Sequence, residues 1–479
     1  MRYESMLISA VFVPIAGAFI LPLIGRISSR LRNLSSLCLI LTPLVLSLFM
    51  LPVVLSGGSI AVSQQTAIGG NGIFTADSLA VFMAILASFI SAVIMLYSFG
   101  YISHYKNQNE YYSMVVLFLG AMIGLVFSGN LILLYIFWEI TAVTSWRLIG
   151  FFRDEKCVLK ANKAFLITVF GALTMLIGFI SVYQQYGSFD LAVIKESAKI
   201  NPLAGLTVLL ILVGIFSKSA TLPFHTWLPD AGVAPSPVTA LLHAAILVKI
   251  GVYVFARLFI VTIFLPQFWQ TVVPAIAAIS AIICAGAAFI ETDLKRIIAY
   301  STISQIGFIF LGLAVGNQMA VAGGLLYILM HGIAKAGLFL CAGIVEQNTK
   351  IKDITKLGGL IATMPITAVS FLFCAFSVIG IPPFGGFFSK YLVFAGAVKA
   401  GQLGIGFVFL IGAFMTILYL FRVFNLVFLG EARFAAKENS PIMVFSVLIL
   451  ALVSLFSGIF IRYPAEFVRV IAANMFGNS

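Results

Sequence analysis

Four lysines and a glutamate occupy positions where a chain this apolar should carry no charge. Lys218, Lys249, Lys335 and Lys390 each lie inside an apolar segment or at a break in one, and Glu139 lies in the apolar run Leu131 to Ile140. A charge at the centre of a bilayer costs about 3 kcal/mol or more, so such residues are usually functional or paired. Burial favours the neutral amine, and a neighbouring carboxylate favours the ammonium. Opening and closing a Glu139–Lys218 pair would switch the lysine between holding and releasing a proton. The competing reading is a static ion pair that locks helices together.

Histidines extend the set. His331 and Lys335 are i and i+4 on one helix and share a face. His243 precedes Lys249 by six residues, roughly the opposite side of a helix, so the two need not meet. His225 lies in a proline-rich break with Asp230. Imidazole titrates near neutral pH and can relay a proton. A lone buried histidine is more often a hydrogen-bonded core residue, but the lysine file makes His331 a relay candidate. His225 and Asp230 read as braces of the break. Arg147 lies two turns from Glu139 on the same face, too far for direct contact. Arg257 and Arg422 fall near span ends, where snorkelling explains them. Ser217, Ser219, Thr221, Ser301, Thr302, Ser304 and Ser389 could hold water between the titratable groups.

The elements that must carry these residues are membrane spans. The chain is 62% hydrophobic and 9% charged, against about 25% charged for a soluble chain. Cutting it into apolar lengths of about 20 residues gives about fourteen spans, the first over 5–24 and the last over 441–462. The apolar pattern continues past Leu21-Pro22, so the N-terminus reads as a first span and not as a cleaved leader. Two segments are interrupted, 219–236 by four prolines and 380–389 by Pro382, Pro383, Gly385 and Gly386. Lys218 precedes the first break and Lys390 follows the second. Broken helices at corresponding places in two halves point to inverted repeats with an ion path between them. The expected fold is all-α, with 1–110 as N-terminal helices, 111–260 and 270–429 as two five-helix repeats, and 430–479 as a C-terminal helix and tail.

Most lysines and arginines between spans fall on one side, which is then cytoplasmic, with both termini outward. The net charge of +12 lies in those short loops, so no nucleic-acid partner is expected. The five cysteines are scattered without CxxC spacing, so no metal centre and no cofactor is expected.

Several segments are familiar as sets. Lys218 to Ala231, Trp138-Glu139 with Leu148 to Phe151, Asp293 to Gly307, His331 to Lys335, and Gly380 to Lys390 resemble the antiporter-like subunits of respiratory complex I and of Mrp cation/proton antiporters. Membrane-bound hydrogenases carry similar subunits. The resemblance implies fourteen helices, two inverted five-helix repeats and a polar axis along the middle of the membrane. It implies Glu139 and Lys218 as a gating pair, Lys249 as the central lysine, His331 and Lys335 as the link, and Lys390 at the exit of the second half. Lys390 stands where one complex I paralogue has glutamate, Arg147 stands where an apolar residue is expected, and the chain stops shortly after its last span. These departures favour a hydrogenase-type or Mrp-type assembly over complex I itself.

The expected function is translocation of protons, or of sodium, by one subunit of a larger redox-driven or antiporter assembly in the cell inner membrane. Sister antiporter-like subunits, small membrane subunits, a peripheral redox arm and lipid are the expected partners. Two alternatives stay open: a self-sufficient solute transporter with its site at the breaks, and a subunit that reacts with quinone.

Overall fold

The computed structural model describes residues 2–66, 70–433 and 436–477. Its first elements are α1 (Arg2–Ile27), α2 (Ser29–Leu55), a hairpin of β1 (Ile60–Thr66) and β2 (Gly70–Ala76), α3 (Ser78–Tyr101), α4 (Gln108–Phe127), α5 (Leu131–Ile149) and α6 (Glu155–Tyr186). Then come the short α7 (Leu191–Ile200), α8 (Gly205–Lys218), α9 (Trp227–Asp230), α10 (Ser236–Ala240) and α11 (Leu247–Ala256). The rest is α12 (Gln267–Ile290), α13 (Leu294–Ala314), α14 (Gln318–Thr349), α15 (Pro365–Ile379), α16 (Gly385–Lys399), α17 (Leu403–Phe428), α18 (Pro441–Ile459) and α19 (Arg462–Met475).

Twelve helices among the described residues are long and apolar enough to cross a membrane, one of them running unbroken from Ser236 to Thr262. Two shorter apolar helices, α8 and α15, fall in segments also expected to cross, so the described residues give twelve full-length candidates against the expected fourteen. The chain is a multi-pass membrane protein, as its composition requires. The hairpin and the small helices α7 and α19 were not legible as spans. α19 is amphipathic and buries only Val468, Ile471, Ala472 and Met475, the pattern of a helix lying along the membrane surface.

Helix ends are set by local chemistry. Asn130, Asp154, Asp293 and Asn317 each place a side-chain oxygen on an amide of the following first turn, satisfying a donor the helix leaves free. Gly187 and Lys350 end α6 and α14 in the left-handed conformation.

These features recur. Asn130 bridges to Asp190, and Asp293 bridges to Asp353. The amide of Leu131 donates to Phe189 and that of Leu191 to Gly129; equally, Leu294 donates to Lys352 and Ile354 to Thr292. Both members of each pair are shifted by 163 residues. The breaks repeat too. Ala220 and Gly380 have φ of 52° and 85°, and Pro223 and Pro383 both follow a cis peptide bond. The amide of Thr221 reaches the Phe216 carbonyl at 2.9 Å, and that of Ile381 reaches Phe376 at 3.0 Å.

Within the first half α6 packs on α8, and within the second α12 packs on α13 and α14 on α16, while α10 and the following π turn of the 236–262 span pack on α14 between the halves. α3, α4, the 236–262 span, α13 and α14 are buried on almost every face, whereas α1, α2, α6 and α17 leave apolar side chains exposed to lipid.

A buried lysine–histidine axis

The first break is built around Trp138 and Trp227, both fully buried. Lys218 ends α8 and is fully buried. Its amine donates to the Trp138 carbonyl oxygen at 3.2 Å and lies 5.2 Å from the Trp138 ring centre. It does not form a direct ion pair with Glu139, though that carboxylate lies within electrostatic reach. The two residues expected to pair are thus not in direct contact. Glu139 Oε1 has no hydrogen-bond partner. Its neighbours one turn away on the same face, Ile136 and Val143, are 47% and 50% exposed, so the carboxylate sits at the edge of the subunit.

The break leaves few backbone groups unpaired. The Leu222 amide donates to Ser280 Oγ at 3.1 Å, and Trp227 Nε1 reaches back to the Ser217 carbonyl at 2.9 Å. Asp230 anchors the far end to Lys163 (2.8 Å), Arg296 (2.8 Å) and Lys160 (3.8 Å). The sequence reading of Asp230 as a brace is what the geometry shows. His225 is half-buried, with Nδ1 unpartnered.

From the first break the axis passes to the 236–262 span. A π turn at Leu241–Ala245 carries His243, which stacks on Phe339 and has both ring nitrogens unpartnered. Lys249 donates to the Ala244 carbonyl and lies 3.2 Å from His331 Nδ1. One turn further along α14, Lys335 donates to Ser301 Oγ at 2.5 Å and to the Ile298 carbonyl at 3.3 Å. Ser301 meets Tyr419 at 2.6 Å, Gln305 donates to Tyr419 at 3.3 Å, and Tyr327 donates to Gln305. Lys390 completes the file. Its amine donates to the Ile379 carbonyl at 3.0 Å and lies 6.0 Å from the Tyr327 ring. Lys249 thus meets His331 and Lys335 meets Ser301, while Lys335 lies within electrostatic reach of both Lys249 and Lys390 and His331 Nε2 has no partner.

Three arginines are placed differently from expectation. Arg147 forms an ion pair with Glu110, which also holds Arg153 at 2.5 Å. Its partner is thus a carboxylate at the start of α4 and not Glu139. Arg257 does not snorkel: it is 7% exposed and grips Asp77 at 2.5 and 2.7 Å. Burial alone would push the Asp77 carboxyl up, but the Arg257 guanidinium outweighs it and holds the group below the usual carboxylate range. Arg422 donates to the carbonyls of Phe289 and Glu291 at 2.5 and 2.9 Å.

Other partners escaped the sequence reading. On the lysine-rich side a cavity of 330 Å³ ends at Lys295 and Glu346, paired at 2.8 Å, with Lys352 on the same carboxylate at 3.2 Å. Ser236 Oγ, just beyond, is buried without a partner, two turns before His243 on one face of the span. Buried polar atoms left open in this way are places for ordered water. Gln305, Tyr327 and Tyr419 also went unread as site residues, although Ser301, which they join through hydrogen bonds, was among the hydroxyls singled out. No group of three or more His, Cys, Asp or Glu side chains able to hold a metal occurs among the described residues.

Comparison with known proteins fixes the family. Residues 128–416 match the NADH:quinone oxidoreductase/Mrp antiporter transmembrane family. The chain belongs to that family. Residues 72–112 further match the N-terminus of complex I chain 5. The Na(+)/H(+) antiporter subunit A1 of Staphylococcus haemolyticus is 34% identical over 95% of this chain, and that of Staphylococcus aureus is 33% identical. The chain spans 61% of the length of these relatives. Among solved structures, a chain of the Mrp complex from Dietzia sp. superposes with a TM-score of 0.91 at 22% identity, covering 99% of this chain and 98% of that one. A chain of the membrane-bound sulfane sulfur reductase, an archaeal respiratory membrane complex, superposes with a TM-score of 0.91 at 23% identity, over 98% and 97%. At such identities the likeness shows a shared fold.

Proposed function

We propose that the chain is an ion-translocating subunit of a multi-subunit membrane assembly and moves protons along the axis from Glu139 and Lys218 through Lys249, His331 and Lys335 to Lys390. The observation that carries this reading is the contact of Lys249 with His331, which joins the two halves at 3.2 Å inside a fully buried polar file. In this reading 111–260 and 270–429 act as two half-units, and His243 and the Lys295–Glu346 cavity serve the cytoplasmic approach. A proton arriving at Lys218 is held while Glu139 is near and released toward Lys249 when the pair separates. Hydroxyl and amide groups of Ser301, Gln305 and Tyr327 carry it on toward Lys390. Arg147, His225 and Asp230 position the helices.

Membership of an assembly is supported by the named complexes of the structural neighbours and by Glu139. Tyr135 lies within hydrogen-bonding reach of this carboxylate while Oε1 stays without a partner; an ionisable group between two exposed apolar side chains is costly against lipid, a cost that a neighbouring subunit covering that face would relieve. The test is ion transport by the purified assembly in proteoliposomes, with Glu139→Ala and Lys218→Ala beside the unaltered protein. Loss of pumping from an intact assembly supports the reading. Normal pumping by both variants overturns it.

A further inference from the structure

On the side opposite the lysine-rich loops lies a half-enclosed space of 460 Å³ that the ion path does not use. Its size falls within the range of about 300–1,000 Å³ typical of ligand sites. One wall is a π turn, Arg257–Thr262, at the outer end of the 236–262 span; the opposite wall is the end of α13 around Leu313. Phe255, Phe259 and Val261 make the interior apolar, and Met475 at the end of α19 lines it from the C-terminal side. The inner end is closed. Phe255 packs edge-on against Phe310 at 5.4 Å, and Phe310 against Phe216 at 5.7 Å, which shuts the space off from Lys218.

The mouth is cationic. It carries Lys195 and Lys199 from α7. Lys199 is held by Glu196 at 2.7 Å. Lys195 makes no ion pair among the described residues, and it also lines a smaller neighbouring space of 260 Å³. The carboxylate in that smaller space, Asp77, is already matched by Arg257. A free cation therefore stands over an apolar slot at the level of two surface-lying helices, α7 and α19. The complementary molecule has a negative head and a hydrocarbon tail, and the membrane itself supplies one.

We propose that this outward-side cavity binds an anionic phospholipid, with its phosphate on Lys195 and one acyl chain inserted between the π turn and Leu313. The chain replaces water against Phe259 and Val261, and the headgroup stays in the interface where α7 lies. The site does not depend on the ion path, so its failure would leave the transport reading standing.

The experiment uses the full chain, purified in detergent and stripped of lipid, with native mass spectrometry and thermal unfolding as readouts. Dioleoylphosphatidylglycerol is the probe; dioleoylphosphatidylcholine and inorganic phosphate are the comparisons. The anionic lipid should be retained and should raise the unfolding temperature, with the zwitterionic lipid roughly tenfold weaker and free phosphate without effect. Lys195→Glu should weaken retention of the anionic lipid by about tenfold, and Val261→Trp should abolish it by filling the slot. Equal binding of both lipids, binding of phosphate alone, or full retention by either variant overturns the proposal. Should Val261→Trp fail to fold, a phosphatidylglycerol with a photoreactive acyl chain decides in the unaltered protein. Cross-links at 255–265 or Leu313 support the site, and cross-links confined elsewhere overturn it.

Discussion

At the first break the amine lies in the helix before the interruption; at the second it lies in the helix after it. The backbones are the same, down to a left-handed residue, a cis proline and matching amide bonds 160 residues apart. That register puts Val378 opposite Lys218 and Asp230 opposite Lys390. Lys218 faces a tryptophan carbonyl with Glu139 in reach. Lys390 turns back onto the carbonyl that ends its own broken helix and onto a tyrosine ring. One scaffold thus presents its buried cation from opposite sides of a break, once beside a carboxylate and once beside neutral groups. The two breaks are therefore not interchangeable: the first amine has a carboxylate in electrostatic reach, whereas the contacts of the second are a carbonyl and a tyrosine ring.

The comparison can be broken most forcefully at the amines. Lys218→Ala and Lys390→Ala should each slow proton transport by the assembly roughly 100-fold, the scale of losing a positioned acid–base group. Glu139→Gln should reproduce only the first defect. If Glu139→Gln restores transport to Lys390→Ala, or if either lysine variant pumps normally, the two-gate picture fails.

Packing separates the breaks next. A Cβ on Gly386 would come within 1.7 Å of the Ser377 carbonyl oxygen, and the matching residue in the first break is Thr226. Gly386→Ala should lower stability by about 1–3 kcal/mol, seen as an earlier thermal transition, whereas Thr226→Ala should be close to neutral. Equal effects would mean that the second break is no tighter than the first.

The anchor at Asp230 has a smaller part. Its three partners are partly exposed, so Asp230→Asn should cost about 1 kcal/mol. Hydrogen exchange should rise at residues 224–233 and stay unchanged at α16. Faster exchange at both breaks would contradict a local clamp.

The smallest effect concerns the left-handed residues. Ala220 has φ of 52°, where a side chain is strained, and the second break uses Gly380 at the same point. Ala220→Gly should stabilise by up to about 1 kcal/mol. Gly380→Ala should destabilise, because its Cβ would also meet Lys390 Cδ at 2.9 Å. A loss of stability in Ala220→Gly would show that the Ala220 methyl packs well enough to offset its backbone.

Much of this was legible in the sequence. Apolar length located the crossings, and prolines located both breaks, because hydrocarbon leaves the backbone so few options. Buried lysines stood out for the same reason. The arginines were harder. Arg257 was read with Arg422 as a charge near a span end and Arg147 as a residue two turns from Glu139, yet their carboxylates come from Asp77 and Glu110, distant in sequence, and no local pattern announces such a pair. The internal repeat was visible only as two broken segments, since its evidence lies in backbone bonds made by different residue types.

The sequence by itself determined that this is a many-span membrane protein with two interruptions and a set of charges at costly positions. Composition and spacing suffice for that, since the cost of a buried charge or an unpaired amide depends little on its neighbours. Only the tertiary structure decided which charges meet. It joined Lys249 to His331, paired Arg147 with Glu110, placed Glu139 at the subunit's edge and linked Ser301, Gln305, Tyr327 and Tyr419 by hydrogen bonds. Hydrogen bonds and ion pairs act over a few ångströms, and in this chain those distances are bridged between helices far apart along the sequence.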